Sequence, residues 1–151
     1  MNKIGLQEKT KAEKGKIEIY HSGVDKNGGG KSILHRIYIP LKSFDSGIKG
    51  ETQPLETEIK MERLELNLRD PLNLDGINLV SAPEDYKEVS IYVGNSHNQC
   101  QIKKMRFNKI DEGNYEVDCN LFIEFETEGV AENEEFYFTT QLELDSNTEE
   151  E

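Results

Sequence analysis

Apolar and polar residues alternate along residues 115–127. Every second position is apolar, and the positions between them are mostly acidic, with Phe122 as the one apolar exception. Successive side chains of a β-strand point to opposite faces, so this segment predicts a strand with one apolar face and one acidic face. The apolar face needs a second layer to cover it, whereas the acidic face is left in water. The apolar set is Tyr115, Val117, Cys119, Leu121, Ile123 and Phe125.

Similar alternation, interrupted by turn signals, predicts further strands in the rest of the chain. The first two of them form a hairpin around a glycine-rich turn at residues 22–32. Residues 41–54 and 69–86 carry glycine and proline and are predicted as irregular, apart from one brief strand. The predicted strands are residues 16–21, 33–40, 77–80, 89–93, 99–110 and 136–144.

Two segments change phase part-way along their length. In residues 55–68 the apolar positions are odd-numbered in the first half and even-numbered in the second. One strand can keep both sets on one face only if it contains a β-bulge, which we expect near residues 62–63. Residues 99–110 predict a second bulge near 103–104. A helix is the alternative for residues 55–68, because Met, Glu, Arg and Leu are good helix formers.

About seven strands at these turn spacings predict an all-β protein, either an antiparallel β-sandwich or an open barrel. The last three strands are joined by short turns and are predicted to form a contiguous meander. With 151 residues, the chain is long enough for one domain with a sizeable core. We expect a flexible N-terminal tail at residues 1–15, a single β domain at 16–145 and an acidic C-terminal tail at 146–151.

The sequence shows no sign of membrane insertion or secretion. No apolar run approaches the roughly 20 residues of a membrane helix, and the first residues lack the apolar core of a signal peptide. The two cysteines, Cys100 and Cys119, occupy apolar-phase positions of predicted strands, which favours buried free thiols over a disulfide. A cytoplasmic protein that does not bind membranes is the prediction.

Negative charge is concentrated in the C-terminal third of the chain. The formal net charge is −12, and residues 111–151 hold 15 of the 30 acidic residues with no Lys or Arg. Such a field repels nucleic acid and steers a basic partner towards the C-terminal strands. The alternative is that the acidic surface keeps a β protein soluble and protects its edges from pairing.

No pattern of residues in the chain predicts catalysis, a cofactor or a metal site. Residues 27–32 (N-G-G-G-K-S) lack the first glycine of a phosphate-binding loop and precede a predicted strand instead of a helix. The three histidines, His21, His35 and His97, are isolated in sequence. His21 and His35 flank the same hairpin, but a metal site there would need a third ligand. We therefore expect a non-enzymatic protein.

Three short motifs lie in the second half of the chain, at residues 90–98 (S-I-Y-V-G-N-S-H-N), 107–110 (F-N-K-I) and 122–126 (F-I-E-F-E). Together with the strands between them, these motifs resemble small cytoplasmic bacterial β-sandwich proteins. Several of those proteins are suspected immunity proteins, encoded beside secreted polymorphic toxins. The likeness spans roughly residues 72–144. It implies a protein that neutralises a cognate toxin by covering its active site, and it assigns no functional residue.

The acidic strand face predicts contacts with a basic protein partner, such as a cognate toxin, because complementary charge speeds association and gives specificity. The alternative function is a carbohydrate- or small-ligand-binding sandwich, which requires exposed aromatic platforms. Tyr92 and Tyr137 are the candidates for that role. The sequence leaves the oligomeric state open. The predicted partner contacts are Glu116, Asp118, Glu124, Glu126 and Glu128.

Overall fold

The computed structural model describes residues 2–24, 31–81 and 88–150. This part of the chain is nearly all β, which confirms the predicted fold class. A short helix, α1 (Leu6–Lys9), precedes the first strand, and a single 3-10 turn (Phe125–Glu128) precedes the last. The strands are β1 (Gly15–Val24), β2 (Lys31–Pro40), β3 (Glu58–Leu64), β4 (Asn78–Leu79), β5 (Glu88–Val93), β6 (Ser96–Asp111), β7 (Asn114–Ile123) and β8 (Glu134–Glu150).

Seven of these strands pair into a closed ring in the order β1–β2–β3–β5–β6–β7–β8, and β8 returns to β1. The pairing of β1 with β8 is parallel, and every other pairing in the ring is antiparallel. The barrel is therefore mixed, whereas the sequence predicted antiparallel pairing alone. The parallel contact arises where the first and last strands of the chain meet to close the ring. The short β4 pairs with β6 in addition.

The predicted C-terminal meander is confirmed, because β7 pairs antiparallel with both β6 and β8. The predicted strand at residues 115–127 is too long, however. β7 ends at Ile123, and the chain continues into the 3-10 turn, where Phe125 is still fully buried. Alternation alone cannot distinguish a strand from a turn that happens to bury its next apolar side chain.

Both predicted bulges are confirmed. Between its pairs with His35 and Ile37 of β2, strand β3 contains one extra residue, and Arg63 within it has a φ of 54°. β6 has its extra residue at Lys103, opposite β7. Each bulge lets apolar positions on both sides of the phase change face the barrel interior. The segment containing β3 is a strand and not the alternative helix.

Inward-facing side chains of the ring strands fill the interior of the barrel. These side chains are almost completely buried and form one hydrophobic cluster. Fully burying one such side chain contributes about 1.5–3 kcal/mol, so the packed interior is the main source of stability. Because side chains occupy the interior, the outer surface is the part of the barrel that is accessible to a partner or ligand. Central members of the cluster are Ile17, Ile37, Ile59, Ile91, Phe107, Val117, Leu121 and Leu142.

Residues of both predicted tails contact the barrel. Ile4 and Leu6 are buried in the core, and the buried carboxylate of Glu134 accepts the backbone N–H groups of Gly5 and Leu6 at 3.1 and 2.8 Å. Two apolar residues are too few to produce a periodic pattern in the sequence. At the other end, residues 146–150 extend β8 along β1, since backbone pairing does not require apolar side chains.

Two predicted loops fall partly outside the described residues. These are the tip of the glycine-rich turn, residues 25–30, and residues 82–87 of the second irregular segment. The brief strand predicted at residues 77–80 is present as β4.

Candidate functional site

The outer surface of β6, β7 and β8 brings two of the predicted contact residues next to side chains of neighbouring strands. Antiparallel pairing places Asp118 between Arg106 of β6 and Thr139 of β8. Residues directly opposite each other in such pairs have Cβ atoms about 4.5–5.5 Å apart, so their side chains share one face. Thr139 donates a 2.6 Å hydrogen bond from its hydroxyl to Asp118 Oδ1. Asp118 is thus held by the Thr139 hydroxyl and lies opposite Arg106 in the ladder.

Glu116 lies two residues away from Asp118 and is exposed. Its cross-strand neighbours are uncharged: Asn108 of β6 and Gln141 of β8. In the described part of the chain, no ion pair within 4.0 Å involves Glu116. β7 therefore contributes two carboxylates, and not the continuous acidic row that the sequence predicted for residues 115–127.

The remaining three predicted contacts lie beyond the end of β7. Glu124 is half-buried where the strand ends, and Glu126 and Glu128 are exposed on the 3-10 turn. Glu126 is fixed by a reciprocal pair of bonds with Asn133: each side chain accepts the other residue's backbone N–H, at 2.9 and 3.0 Å. Six residues of strand span about 20 Å. Asp118 and Glu124 are therefore at different levels of the barrel, and the five carboxylates do not form one patch.

Aromatic side chains accompany the carboxylates on this surface. Tyr137 of β8 is 55% exposed, and its partner across the β7–β8 ladder is Asn120. Phe122, the apolar exception in the sequence pattern, is half-buried on the same outer face of β7, and the Lys103 ammonium lies 5.5 Å from its ring centroid. We call Glu116, Asp118, Phe122, Glu135 and Tyr137 the acidic face.

The N-terminal segment supports the acidic face from the side. Gln7 binds the backbone of Tyr137 through both groups of its side-chain amide: Nε2 donates to Tyr137 O at 2.8 Å, and Oε1 accepts from Tyr137 N at 2.9 Å. The amide thereby occupies the backbone groups of β8 that an additional strand would use. Together with the bonds from Glu134 to α1, this contact fixes the position of Tyr137.

A second surface feature crosses the outside of β1, β2, β3 and β5. It consists of two adjoining cavities of about 650 and 580 Å³ that share Pro40 and Glu58 in their walls. We call it the aromatic groove. Cavities of roughly 300–1,000 Å³ are typical of small-molecule sites. Its principal ring-bearing residues are Tyr38, Pro40, Tyr92 and His97.

Tyr92 and His97 form the aromatic end of the groove. Tyr92 is 43% exposed, and the two rings meet edge-on with their centroids 4.7 Å apart. The tight turn between them, at Gly94 and Asn95, has positive φ values of 67° and 59°, which suits a two-residue hairpin turn. Thr57 donates from its hydroxyl to the backbone oxygen of Tyr92 at 2.7 Å, so the backbone beneath the ring is held in place.

Charges in the aromatic groove are nearly balanced, unlike those of the whole molecule. Its walls carry three ammonium groups and four carboxylates. Lys14 pairs with Glu143 at 3.2 Å, and Lys60 lies 4.0 Å from Glu58. Lys16 lies 5.7 Å from the centroid of the Tyr38 ring. The groove therefore combines aromatic surfaces with paired polar groups and carries little net charge.

The predicted free thiols are confirmed, because Cys100 and Cys119 are both buried and unbridged. Burial raises the pKa of both thiols far above the ordinary range. A thiolate is the nucleophilic form of cysteine, so both side chains act as apolar core residues.

The histidines do not converge. His35 is buried, and its Nε2–H donates to the Pro71 carbonyl at 2.9 Å. Ile19 is opposite His35 in the first hairpin, and Ile33 is opposite His21. Within residues 2–24, 31–81 and 88–150 there is no group of three or more His, Cys, Asp or Glu side chains suited to a metal ion.

Comparisons of the chain with protein families, curated proteins and solved structures give no match. In the described ranges, no helix has the length and apolar character needed to cross a membrane. The two surfaces themselves are therefore the guide to function.

Proposed function

We propose that this chain is a non-enzymatic protein-binding module, of the kind that protects a bacterial cell by binding a toxin and covering its active site. The partner is a basic protein, and the acidic face is the contact surface. Two lines of reasoning support this proposal: the resemblance of residues 72–144 to suspected immunity proteins, and the distribution of charge around the barrel.

The observation that best supports the proposal is a set of exposed carboxylates that have no counter-ion. Residues 111–151 contain no Lys or Arg, so the outer surface of β7, the 3-10 turn and β8 has no cation of its own. Glu143, near the end of β8, pairs with Lys14 at 3.2 Å, but among the described residues no ion pair within 4.0 Å neutralises five other exposed members of this set. A cationic partner could pair with these groups without first breaking an internal ion pair. The five are Glu116, Glu126, Glu128, Glu132 and Glu135.

The aromatic residues make the acidic face suitable for a protein partner in addition to small cations. Tyr and Phe are enriched at the centres of protein interfaces, where they bury a large area on binding. Tyr137 projects from β8, and Phe122 lies on the adjacent β7. Because the backbone of Tyr137 is already fixed by Gln7, little ordering is needed when a partner binds, which favours affinity.

The five predicted contacts divide into two groups under this proposal. Glu116 and Asp118 lie on the acidic face itself, beside the aromatic residues. Glu124, Glu126 and Glu128 lie at the end of the barrel, where they attract a basic protein over a longer range and raise its association rate.

Binding to the product of the adjacent reading frame in the source genome tests the proposal. Isothermal titration should give a complex whose affinity falls as salt is raised above ~0.15 M, where the Debye length is about 8 Å. Replacing Glu116 and Glu135 by Lys should weaken binding at least about tenfold, since close charge pairs at interfaces contribute roughly 1.5 kcal/mol or more.

The matched control is Glu65→Lys combined with Glu88→Lys, which makes the same charge change at exposed residues after β3 and at the start of β5. It should leave the affinity within about twofold. An absence of binding by the neighbouring product, or equal effects of the control and of the acidic-face variant, would contradict the proposal.

A further inference from the structure

The aromatic groove lies mainly on strands other than those that carry the acidic face, so it can serve a second purpose. It is lined by β1, β2, β3, β5 and the first residues of β6, and only the Glu143–Asp145 part of β8 reaches it. An inference about the groove therefore does not depend on the proposed function of the acidic face.

The groove offers two tyrosine rings at a spacing set by the barrel. Tyr38 of β2 is opposite Lys60 of β3, which is opposite Ser90 of β5; Tyr92 lies two residues beyond Ser90. Two strand spacings and two residues of strand rise place the Tyr38 and Tyr92 Cα atoms roughly 12 Å apart. The line between them runs obliquely across the strands. A ligand that contacts both rings must be an elongated molecule with repeated flat faces.

Charge balance excludes strongly charged ligands. The protein as a whole carries −12, yet the groove has three ammonium groups against four carboxylates, several of which are already paired. Binding a polyanion or polycation there would leave one set of these charges facing like charge. A neutral ligand rich in hydroxyl groups can instead donate to Glu58 and Glu143 and accept from Lys60 and Lys14 without disturbing the balance.

We propose that the aromatic groove binds a neutral, linear oligosaccharide, with Tyr92 and Tyr38 stacking against the apolar faces of two sugar rings. The C–H bonds on one face of a pyranose suit the electron-rich face of an aromatic ring, while its hydroxyls need donors and acceptors at the edges. Ser90 adds a hydroxyl between the two platforms, and Thr57 and His97 add polar groups beside Tyr92.

The test is a titration of the full-length, isotopically labelled protein with cellohexaose, chitohexaose and maltohexaose, followed by ¹H–¹⁵N NMR. We expect at least one of these sugars to shift the backbone signals of residues 57–60, 90–92 and 97 in a saturable manner. Substitution Tyr92→Ala should weaken that sugar about tenfold or more, and Tyr38→Ala should also weaken it.

Tyr137→Ala is the matched control, because it removes another exposed tyrosine, one that lies on the acidic face. It should leave sugar binding within about twofold. Thermal unfolding of all three variants shows whether a loss of binding reflects a loss of fold; if Tyr92→Ala is unfolded, Tyr92→Leu keeps an apolar side chain without the ring and should weaken binding equally.

Three results would overturn the inference. One is the absence of saturable shifts with all three sugars. Another is binding that Tyr92→Ala and Tyr38→Ala leave unchanged. The third is binding of a proline-rich peptide to the groove without binding of any of the sugars. The extended helix of such a peptide also docks on aromatic grooves. None of these results bears on the acidic face, so the two proposals can fail separately.

Discussion

The acidic face and the aromatic groove lie on the same barrel but differ in whether their charged side chains form ion pairs. On the acidic face, Glu116 and Glu135 are exposed without an ion pair among the described residues. In the groove, Lys14 and Lys60 pair with carboxylates of the same surface. Under the two proposals, the unpaired charges suit a charged partner, whereas balanced charge beside aromatic rings suits a neutral ligand.

The largest expected loss of stability comes from substituting Gly15, which lies in the wall of the aromatic groove. A Cβ at Gly15 would lie 2.2 Å from the backbone oxygen of Tyr38 and 3.1 Å from Ile39 Cα. Since backbone atoms cannot move aside independently, Gly15→Ala must separate β1 from β2. We expect a loss of roughly 3 kcal/mol or more in the free energy of unfolding, measured by urea denaturation.

Gly76→Ala is the control for this prediction. Gly76 has a φ of 78°, but an added Cβ would meet nothing within 4 Å. Only backbone strain of about 1–2 kcal/mol is then expected. If Gly15→Ala destabilised the protein less than Gly76→Ala, that result would contradict the close approach of Gly15 to the backbone of β2.

A smaller loss of stability is expected from substituting Glu134, which holds the N-terminal segment beside the acidic face. Glu134→Ala removes the acceptor of two backbone N–H groups, those of Gly5 and Leu6. Leaving buried donors without a partner costs about 1–3 kcal/mol, so we expect a loss of that size in urea denaturation. The exposed neighbour serves as control: Glu135→Ala should change stability by less than about 0.5 kcal/mol. Equal stability of the two variants would show that the N-terminal segment is not anchored by Glu134.

The smallest effect is a loss of folding stability at acidic pH, which arises from the buried His35. Burial lowers the pKa of His35 below its ordinary value of 6.5, and the bond to Pro71 only partly offsets that shift. The folded protein therefore holds His35 neutral, while the unfolded chain binds a proton near pH 6.5. Stability from this group is complete above pH 6.5 and declines as the pH falls towards the folded-state pKa, by at most about 1.4 kcal/mol per pH unit.

Substitution His35→Gln checks this prediction, because the amide retains an N–H donor for Pro71 but does not titrate. The variant should lose less stability than the wild type between pH 7.5 and pH 5.5 (both near the ordinary histidine pKa of about 6.5). An identical pH dependence of the two proteins would assign the acid sensitivity to other groups.

Much of the strand content was predictable from sequence, because burial imposes a period of two wherever a strand has one face in the core. The phase changes in β3 and β6 even located both bulges. Closure of the ring was not predictable, since the parallel contact between β1 and β8 joins residues at opposite ends of the chain. The anchoring of Ile4 and Leu6 also depends on a distant residue, Glu134.

Individual members of the two surfaces were easier to predict than their arrangement. Alternation predicts Glu116 and Asp118 as positions on an acidic strand face, and Tyr92 and Tyr137 are the candidate aromatic platforms. The groove was missed because Tyr38 and Tyr92 lie 54 positions apart in the chain and are brought near each other only by β3, which lies between β2 and β5. The end of β7 was missed because Phe125 remains buried after the strand has stopped.

Mapping where the basic protein partner binds shows most directly whether the acidic face is the contact surface. The labelled protein would be titrated with the product of the adjacent reading frame and followed by ¹H–¹⁵N NMR at low salt and again near ~0.5 M salt, where screening shortens the Debye length to about 4–5 Å. We expect saturable changes at residues 116–122 and 135–139 that weaken at high salt, with the groove residues 57–60 and 90–92 unaffected. A footprint centred on the groove, or one insensitive to salt, would contradict this expectation.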